Sequence, residues 1–420
     1  MTSDRPALSG VVGAESLSSY GPNGNHPVHI GDQFSHGRYT VVHKLGYGRT
    51  STTWLVLDEQ TQSYASLKIV MAGRTVTEVE VLRHLQATYD ATEEGSEHVG
   101  RMFDSFIHEG PNGKHQCIVG EVFGANLASD VYWGSFWENE SLPIEMVRRL
   151  SGQLALGLRY LHRRGVAHGD LHPGNMLLCL PNALTSPEDV KRYMGMPHKC
   201  FVRNETGYSP PHIPEYLVPG LTINTTNLHL CFTKSNVKIC DFSESYMASL
   251  STIPQLATPL ALRPPDAVLD TMPHATTELD IWALGVTFHM LLVGGLEPFI
   301  CPGGFLGGKR DWNRMLKEMV LRMGKFPEPL WSQWNRRNDD FDDDGQPLDS
   351  NTKIPSRLVS KYCDLHGEEL VVYEALLRSI FQYQPHERIT AEQLVSSTWI
   401  CDYCRPEMEE GRVFDVPDFS

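Results

Sequence analysis

A chain of 420 residues, 41% of them hydrophobic, is long enough to bury one large core or two moderate ones. Its 36 basic and 51 acidic side chains leave a net charge of -15, which argues against a general nucleic-acid binder and is compatible with a basic protein partner. Nine cysteines without repeated spacing fit a reducing compartment rather than a disulfide framework, and the lone pair Cys401 and Cys404 lacks the second pair or the histidines of a zinc site.

The first residues, "MTSDRPALSGVVGAESLSSY", have neither the charge order nor the apolar stretch of a signal peptide, and residues 1–27, rich in Gly, Ser, Pro and Asn, are expected to be flexible. From Arg38, "RYTVVHKLGYGRTSTTWLVLD" alternates apolar and polar residues around a glycine pair, the pattern of a hairpin. "SYASLKIVM" is a further strand. In "TVTEVEVLRHLQA", Val76, Val79, Leu82 and Leu85 recur at helical spacing. "HQCIVGEVFG" is an apolar strand ending at Gly124, and from Leu142 helical patterns dominate. The longest apolar run, "IWALGVTFHMLLVGG", is too short to span a bilayer and contains His289, so a buried core helix is expected and no membrane contact.

The order is α+β: a small strand-rich lobe over 28–124, then a larger helical lobe over 125–405 and a tail over 406–420. Two segments interrupt it. Leu180 to Ser235 carries many prolines and is expected to be a surface insertion of the larger lobe. Within 335–350, six aspartates from Asp339 to Asp349 form an acidic, solvated loop.

Phosphoryl transfer asks a protein for a loop over phosphates, a lysine, metal ligands and an acceptor for the substrate hydroxyl proton. The chain offers these in order. Gly46 and Gly48 lie in a strand-turn-strand setting where backbone N–H groups can approach phosphate oxygens. Lys68 sits on the next strand, and either Glu78 or Glu80 at the start of the helical pattern is placed to pair with it. In "GVAHGDLHPGNMLL", Asp170 would accept or orient the hydroxyl proton and Asn175 would offer an oxygen to magnesium. Asp241, at the end of the apolar strand in "VKICDFSES", is the second metal ligand, since hard cations prefer carboxylate oxygens.

These motifs resemble the eukaryotic protein kinase family, and the resemblance covers about residues 38 to 400. It implies a bilobal fold, with a small antiparallel sheet and one helix in the N-lobe and a mainly helical C-lobe. "LRPPD" stands in the place of Ala-Pro-Glu, "TELDIWALG" supplies Asp280 and Trp282, and Arg388 in "PHERITAEQL" is expected to pair with Asp266. Small-molecule kinases of the aminoglycoside phosphotransferase type share the HGDxxxxN loop but lack this downstream set.

Within the family the chain is most similar to the SR-protein kinases, especially compact fungal forms. The resemblance rests on "HPVHIGDQFSHGRYTVVHKLGYGRTSTTWLV", with Ser51 in place of a third glycine and Trp54, on Arg263 before Pro265, and on the long insertion before Asp241.

It implies a serine/threonine kinase, with a role in splicing regulation, that uses ATP and Mg2+ on basic Arg/Ser-rich proteins, with the acidic loop as a docking surface. The implied ATP-binding positions are Leu45, Gly46, Tyr47, Gly48, Ser51, Thr53, Ala65, Lys68, Gly120, Glu121 and Phe123. A monomer resident in cytoplasm or nucleus is expected.

Several positions depart from the family pattern. Gly169 replaces the arginine that reads an activation-segment phosphate, so no such phosphorylation is expected. Thr258 is the residue expected to contact Asp170 and favour Ser/Thr acceptors. His172 replaces a lysine that holds the γ-phosphate, and it could substitute either as a cation or by donating one ring N–H; the cationic form predicts activity that declines above neutral pH. Gly120 stands at the gatekeeper place: either the adenine pocket is enlarged, or a strand glycine lies beside a closely packed backbone. Ser243, Asp266 and Thr53 are further departures, and the alternative to an enzyme is a nucleotide-binding pseudokinase scaffold.

Overall fold

The computed structural model describes residues 11–74, 77–128, 142–202, 211–221, 225–250, 256–272, 276–299, 311–359 and 363–414, with the backbone alone for 225–228. Two units divide the chain: 1–86, 100–124 and 180–230 form the first, and 87–99, 125–179 and 231–420 the second.

The first unit is built on a six-stranded antiparallel sheet in the order β1-β2-β3-β4-β6-β5. Its strands are β1 (Gln33–Phe34), β2 (Tyr39–Tyr47), β3 (Ser51–Asp58), β4 (Ser63–Val70), β5 (Met102–Gly110) and β6 (Gly113–Gly120). Strict alternation on β4 puts Ala65, Leu67 and Ile69 into a core with Trp54, Val56, Cys117 and Val119. Tyr64, Ser66 and Lys68 therefore share the opposite face. The helix Glu78–Ala87 follows, burying Val79, Val81, Leu82 and Leu85; Val76 lies outside the described residues.

Two expectations fail here. Residues 11–27 are not a loose segment. Glu15 is buried against the ammonium of Lys44 and the hydroxyl of Tyr20, while Gly24 and Asn25 are tied to Ala72 and Asn112 by hydrogen bonds. Most of the insertion, likewise, is neither a surface decoration nor part of the larger lobe, because residues 180–230 belong to the first unit and only 231–235 to the second.

The insertion's helix Pro187–Met194, capped by Ser186, places Val190, Tyr193 and Met194 with Leu184 against Leu55, Leu45 and Tyr64 of the sheet. Tyr216 and Val218 join the main core, next to the short pair β10 (Cys200–Phe201) and β11 (Tyr216–Leu217). The many prolines signalled irregular backbone, but the apolar residues between them decide where it packs. Burying each such side chain is worth about 1.5–3 kcal/mol.

The second unit is mainly helical. The 20-residue helix Ile144–Arg163 is buried along most of its length, and Glu278–Leu292 is buried on every side from Leu279 to Leu292, as its continuous apolar sequence requires. Among the described residues no helix is long and apolar enough to cross a membrane.

The chain enters this unit through β7 (Phe123–Asn126), and a three-stranded sheet follows in the order β12-β9-β7, with β9 at Met176–Cys179 and β12 at Val237–Ile239. The pair β8 (Val166–Ala167) and β13 (Tyr246–Met247) flanks the loop between β8 and β9.

Candidate active site

Each unit carries its own set of functional side chains. In the first, the β2–β3 hairpin sets Thr53 opposite Gly46 on one side and Lys68 on the other, so these three form a row across the sheet. Lys68 Nζ lies 2.8 and 2.9 Å from the two carboxylate oxygens of Glu78, which is buried. The structure thus selects Glu78 over Glu80.

Gly46 and Gly48 are not demanded by the fold. Neither has a left-handed backbone; an added Cβ would meet nothing within 4 Å at Gly46 and only Ser51 Oγ at 3.8 Å at Gly48. Each would leave room for close approach of phosphate oxygens to the backbone. Tyr47 is exposed and Ser51 buried at the two ends of the turn, with Gly48 N–H donating to the Ser51 carbonyl at 2.8 Å.

In the second unit, the register Met176 to Ile239 sets Asn175 beside Cys240, whose N–H donates to the Asn175 carbonyl at 2.8 Å. This pairing brings Asn175 next to Asp241 despite their distance in sequence. Asn175 donates its side-chain N–H to the Asp170 carbonyl at 2.9 Å, which turns its amide oxygen the other way. Asp241 is exposed and holds φ at +61°, a left-handed backbone uncommon outside Gly, Asn and Asp.

This donor set fits a magnesium ion, which takes one or two protein oxygens and completes its shell with water and phosphate. Asp170 keeps one carboxylate oxygen, Oδ1, buried and without a hydrogen-bond partner among the described residues.

One buried carboxylate holds the catalytic loop. Asp280 accepts from His168 N–H at 2.7 Å, Gly169 N–H at 3.0 Å and His162 Nε2 at 3.1 Å. Asp266 and Arg388 form a fully buried ion pair, Arg388 also donating to the Gln382 carbonyl at 2.9 Å. Burial raises the Asp266 carboxyl above its ordinary value, and the Arg388 guanidinium offsets part of that rise. Arg263 donates to the carbonyls of Thr258 and Leu256, at 2.7 and 3.0 Å. Within the activation segment, residues 251–255 lie outside the described ones.

Several sequence expectations need correction. Ala65 faces the core, and Ser66, which sequence reasoning missed, shares the Lys68 face and pairs with Gly120. Counting two residues back from Lys68 would have found it. The Thr258 hydroxyl donates to the Gly169 carbonyl at 2.6 Å rather than to the Asp170 carboxylate. Leu45 packs with the insertion's apolar cluster, and its carbonyl accepts from Leu221 N–H at 3.1 Å.

At Gly120 the close-packing reading is favoured: a Cβ there would stand 2.9 Å from the Arg101 carbonyl oxygen, to which Glu121 N–H also donates at 3.3 Å. Phe123, at the start of β7, is half-buried. Gly169 has φ +76°, and a Cβ would lie 2.5 Å from the Glu244 carbonyl, so the loop has no room for an arginine. At His172, Nδ1 accepts the Gly174 N–H at 3.0 Å, so the proton of the neutral ring sits on Nε2.

These residues are of the types that phosphoryl transfer asks for. The protein kinase domain family matches residues 39–184. The chain is 35% identical over 204 residues to protein kinase dsk1 of Schizosaccharomyces pombe, covering 46% of this chain and 37% of that protein. It is 36% identical over 186 residues to human SRSF protein kinase 3, covering 42% and 32%. To serine/threonine-protein kinase SRPK of Physarum polycephalum it is 26% identical over 404 residues, covering 92% and 91%. The match thus spans about a third of the length of dsk1 and of the human protein. Residues 39–184 are thus similar to the protein kinase domain family, and the chain is similar to relatives named SRPK and SRSF protein kinase 3.

Proposed function

We propose that the protein is a serine/threonine kinase that transfers the γ-phosphate of Mg-ATP to serine or threonine in basic, Arg/Ser-rich proteins. The observation that carries this reading is Asp170, whose buried Oδ1 lacks a partner among the described residues, in the unit that also joins Asn175 to Asp241. In the transfer, the acceptor oxygen bonds to the γ-phosphorus, its proton passes to the Asp170 carboxylate, and the bond to the ADP oxygen breaks.

Lys68, held by Glu78, supplies positive charge for the nucleotide phosphates. Asn175 and Asp241 would hold magnesium, which when bound neutralises charge developing on the phosphate oxygens. Five of the six aspartates between Asp339 and Asp349 are exposed, which supports a basic substrate. Of these, Asp339 is already engaged by Arg336 at 2.9 Å.

Transfer of radiolabelled phosphate from Mg-ATP to an arginine-serine repeat peptide tests the proposal, beside an acidic serine peptide and the Asp170→Ala variant. Incorporation into the basic peptide alone, lost in the variant, is expected. ATP binding by thermal shift without any incorporation would favour the pseudokinase scaffold.

A further inference from the structure

We propose that His172 is a positioning residue that works as a pair with Gly174: its ring caps the turn that follows Asp170 and directs an imidazole N–H at the Asp170 carboxylate. The inference deepens the kinase reading and rests on it for its consequence, though not for its geometry.

His172 is the N-cap of the single turn Pro173–Asn175, with extended backbone at φ −159° and ψ 163°. Proline at the first position of that turn has no N–H to leave unsatisfied. The Gly174 N–H is satisfied by His172 Nδ1 at 3.0 Å, the task that Ser, Thr, Asp or Asn side chains usually perform. A lysine, with donors and no acceptor, cannot do this.

Because Nδ1 accepts, the ring proton sits on Nε2. Nε2 faces Asp170 Oδ2 across 3.6 Å. That is longer than a hydrogen bond, and catalytic contacts of this kind shorten when substrate binds. The ring thereby addresses Oδ2, while the other oxygen, Oδ1, is buried without a hydrogen-bond partner among the described residues.

Gly174 has no left-handed backbone to explain it. Its reason is the ring: a Cβ there would lie 2.6 Å from His172 Cε1 and 2.8 Å from Nδ1, and the three nearest atoms all belong to that imidazole. The histidine and the glycine are therefore one device, different from the lysine of the family pattern.

The test combines kinetics, folding and spectroscopy on the full chain. His172→Leu should lower kcat by roughly a hundredfold, the scale of a misplaced reacting group, with KM for ATP little changed. His172→Asn, whose amide offers both an acceptor and a donor, should recover most of that loss. Gly174→Ala should lower kcat by about tenfold beside His172 and add no loss in a His172→Ser background, with melting temperatures showing that each variant folds.

Ring 15N shifts of His172 in nucleotide-free protein should show a protonated Nε2 and an unprotonated Nδ1 at neutral pH. This readout stands even if the chain transfers no phosphate. A Gly174→Ala loss equal in both backgrounds, or an imidazolium or Nδ1-protonated ring, overturns the proposal.

Discussion

The two units solve the same problem, fixing a loop that must not drift, with different physics. In the first, the β2–β3 hairpin is held by segments distant in sequence: Leu184, Val190 and Tyr193 pack against Leu45 and Leu55, Leu221 binds the Leu45 carbonyl, and Glu15 buries itself against Lys44. In the second, a single carboxylate, Asp280, gathers two backbone N–H groups and a histidine. Apolar packing is set by volume and tolerates exchange among side chains of similar size, whereas a buried acceptor for several donors is a fixed demand on one residue type.

The largest expected effect would break the first half of that contrast. Lys44→Met strands the buried Glu15 carboxylate and should cost about 3–5 kcal/mol in denaturant unfolding, and adding Glu15→Gln should recover part of it. Failure to recover would mean that the pair contributes more than mutual neutralisation.

Next, Leu55→Ala should cost about 2–5 kcal/mol as the contact with the insertion empties, while Leu55→Met should cost less than about 1.5 kcal/mol. Asp280→Asn keeps shape but loses an acceptor, leaving a buried donor unsatisfied at about 1–3 kcal/mol. Should Asp280→Asn be as mild as Leu55→Met, the difference in tolerance disappears. Gly120→Ala should destabilise by about 1 kcal/mol or more, because the Arg101 carbonyl must move.

The smallest effect follows pH. Burial lowers His26 to about 3, and His98 and His289 to about 4, so all three are neutral in the folded protein. Their contribution is complete above the ordinary imidazole value of about 6.5 and is lost as pH falls toward 4. His26 lies in the first unit, with ring centroids 4.5 Å from His108 and 5.0 Å from His115. Hydrogen exchange at mildly acidic pH should therefore show residues near His26 loosening, and unchanged protection there between neutral and acidic pH would count against it.

Much of the second unit's site was legible in the sequence because its parts are chemically irreplaceable. Asp170, Asn175, Asp241, Asp280 and Arg388 each supply a charge or a lone pair, and strand and loop patterns sufficed to order them. The β4 alternation was legible too, although Ala65 was read on the wrong face because a three-residue offset from Lys68 reverses the side in a strand.

Other features were decided only by tertiary structure. That residues 180–230 pack with the sheet depends on which apolar surfaces meet, and that residues 11–27 are fixed there depends on distant polar partners such as Lys44 and Asn112; composition carries no address for either. The meaning of each glycine was hidden for the same reason. Gly46, Gly120, Gly169 and Gly174 are identical letters, yet one is uncrowded, two stand against backbone carbonyls and one against a histidine ring. A missing side chain is explained only by what would have touched it, and those neighbours are brought there by the fold.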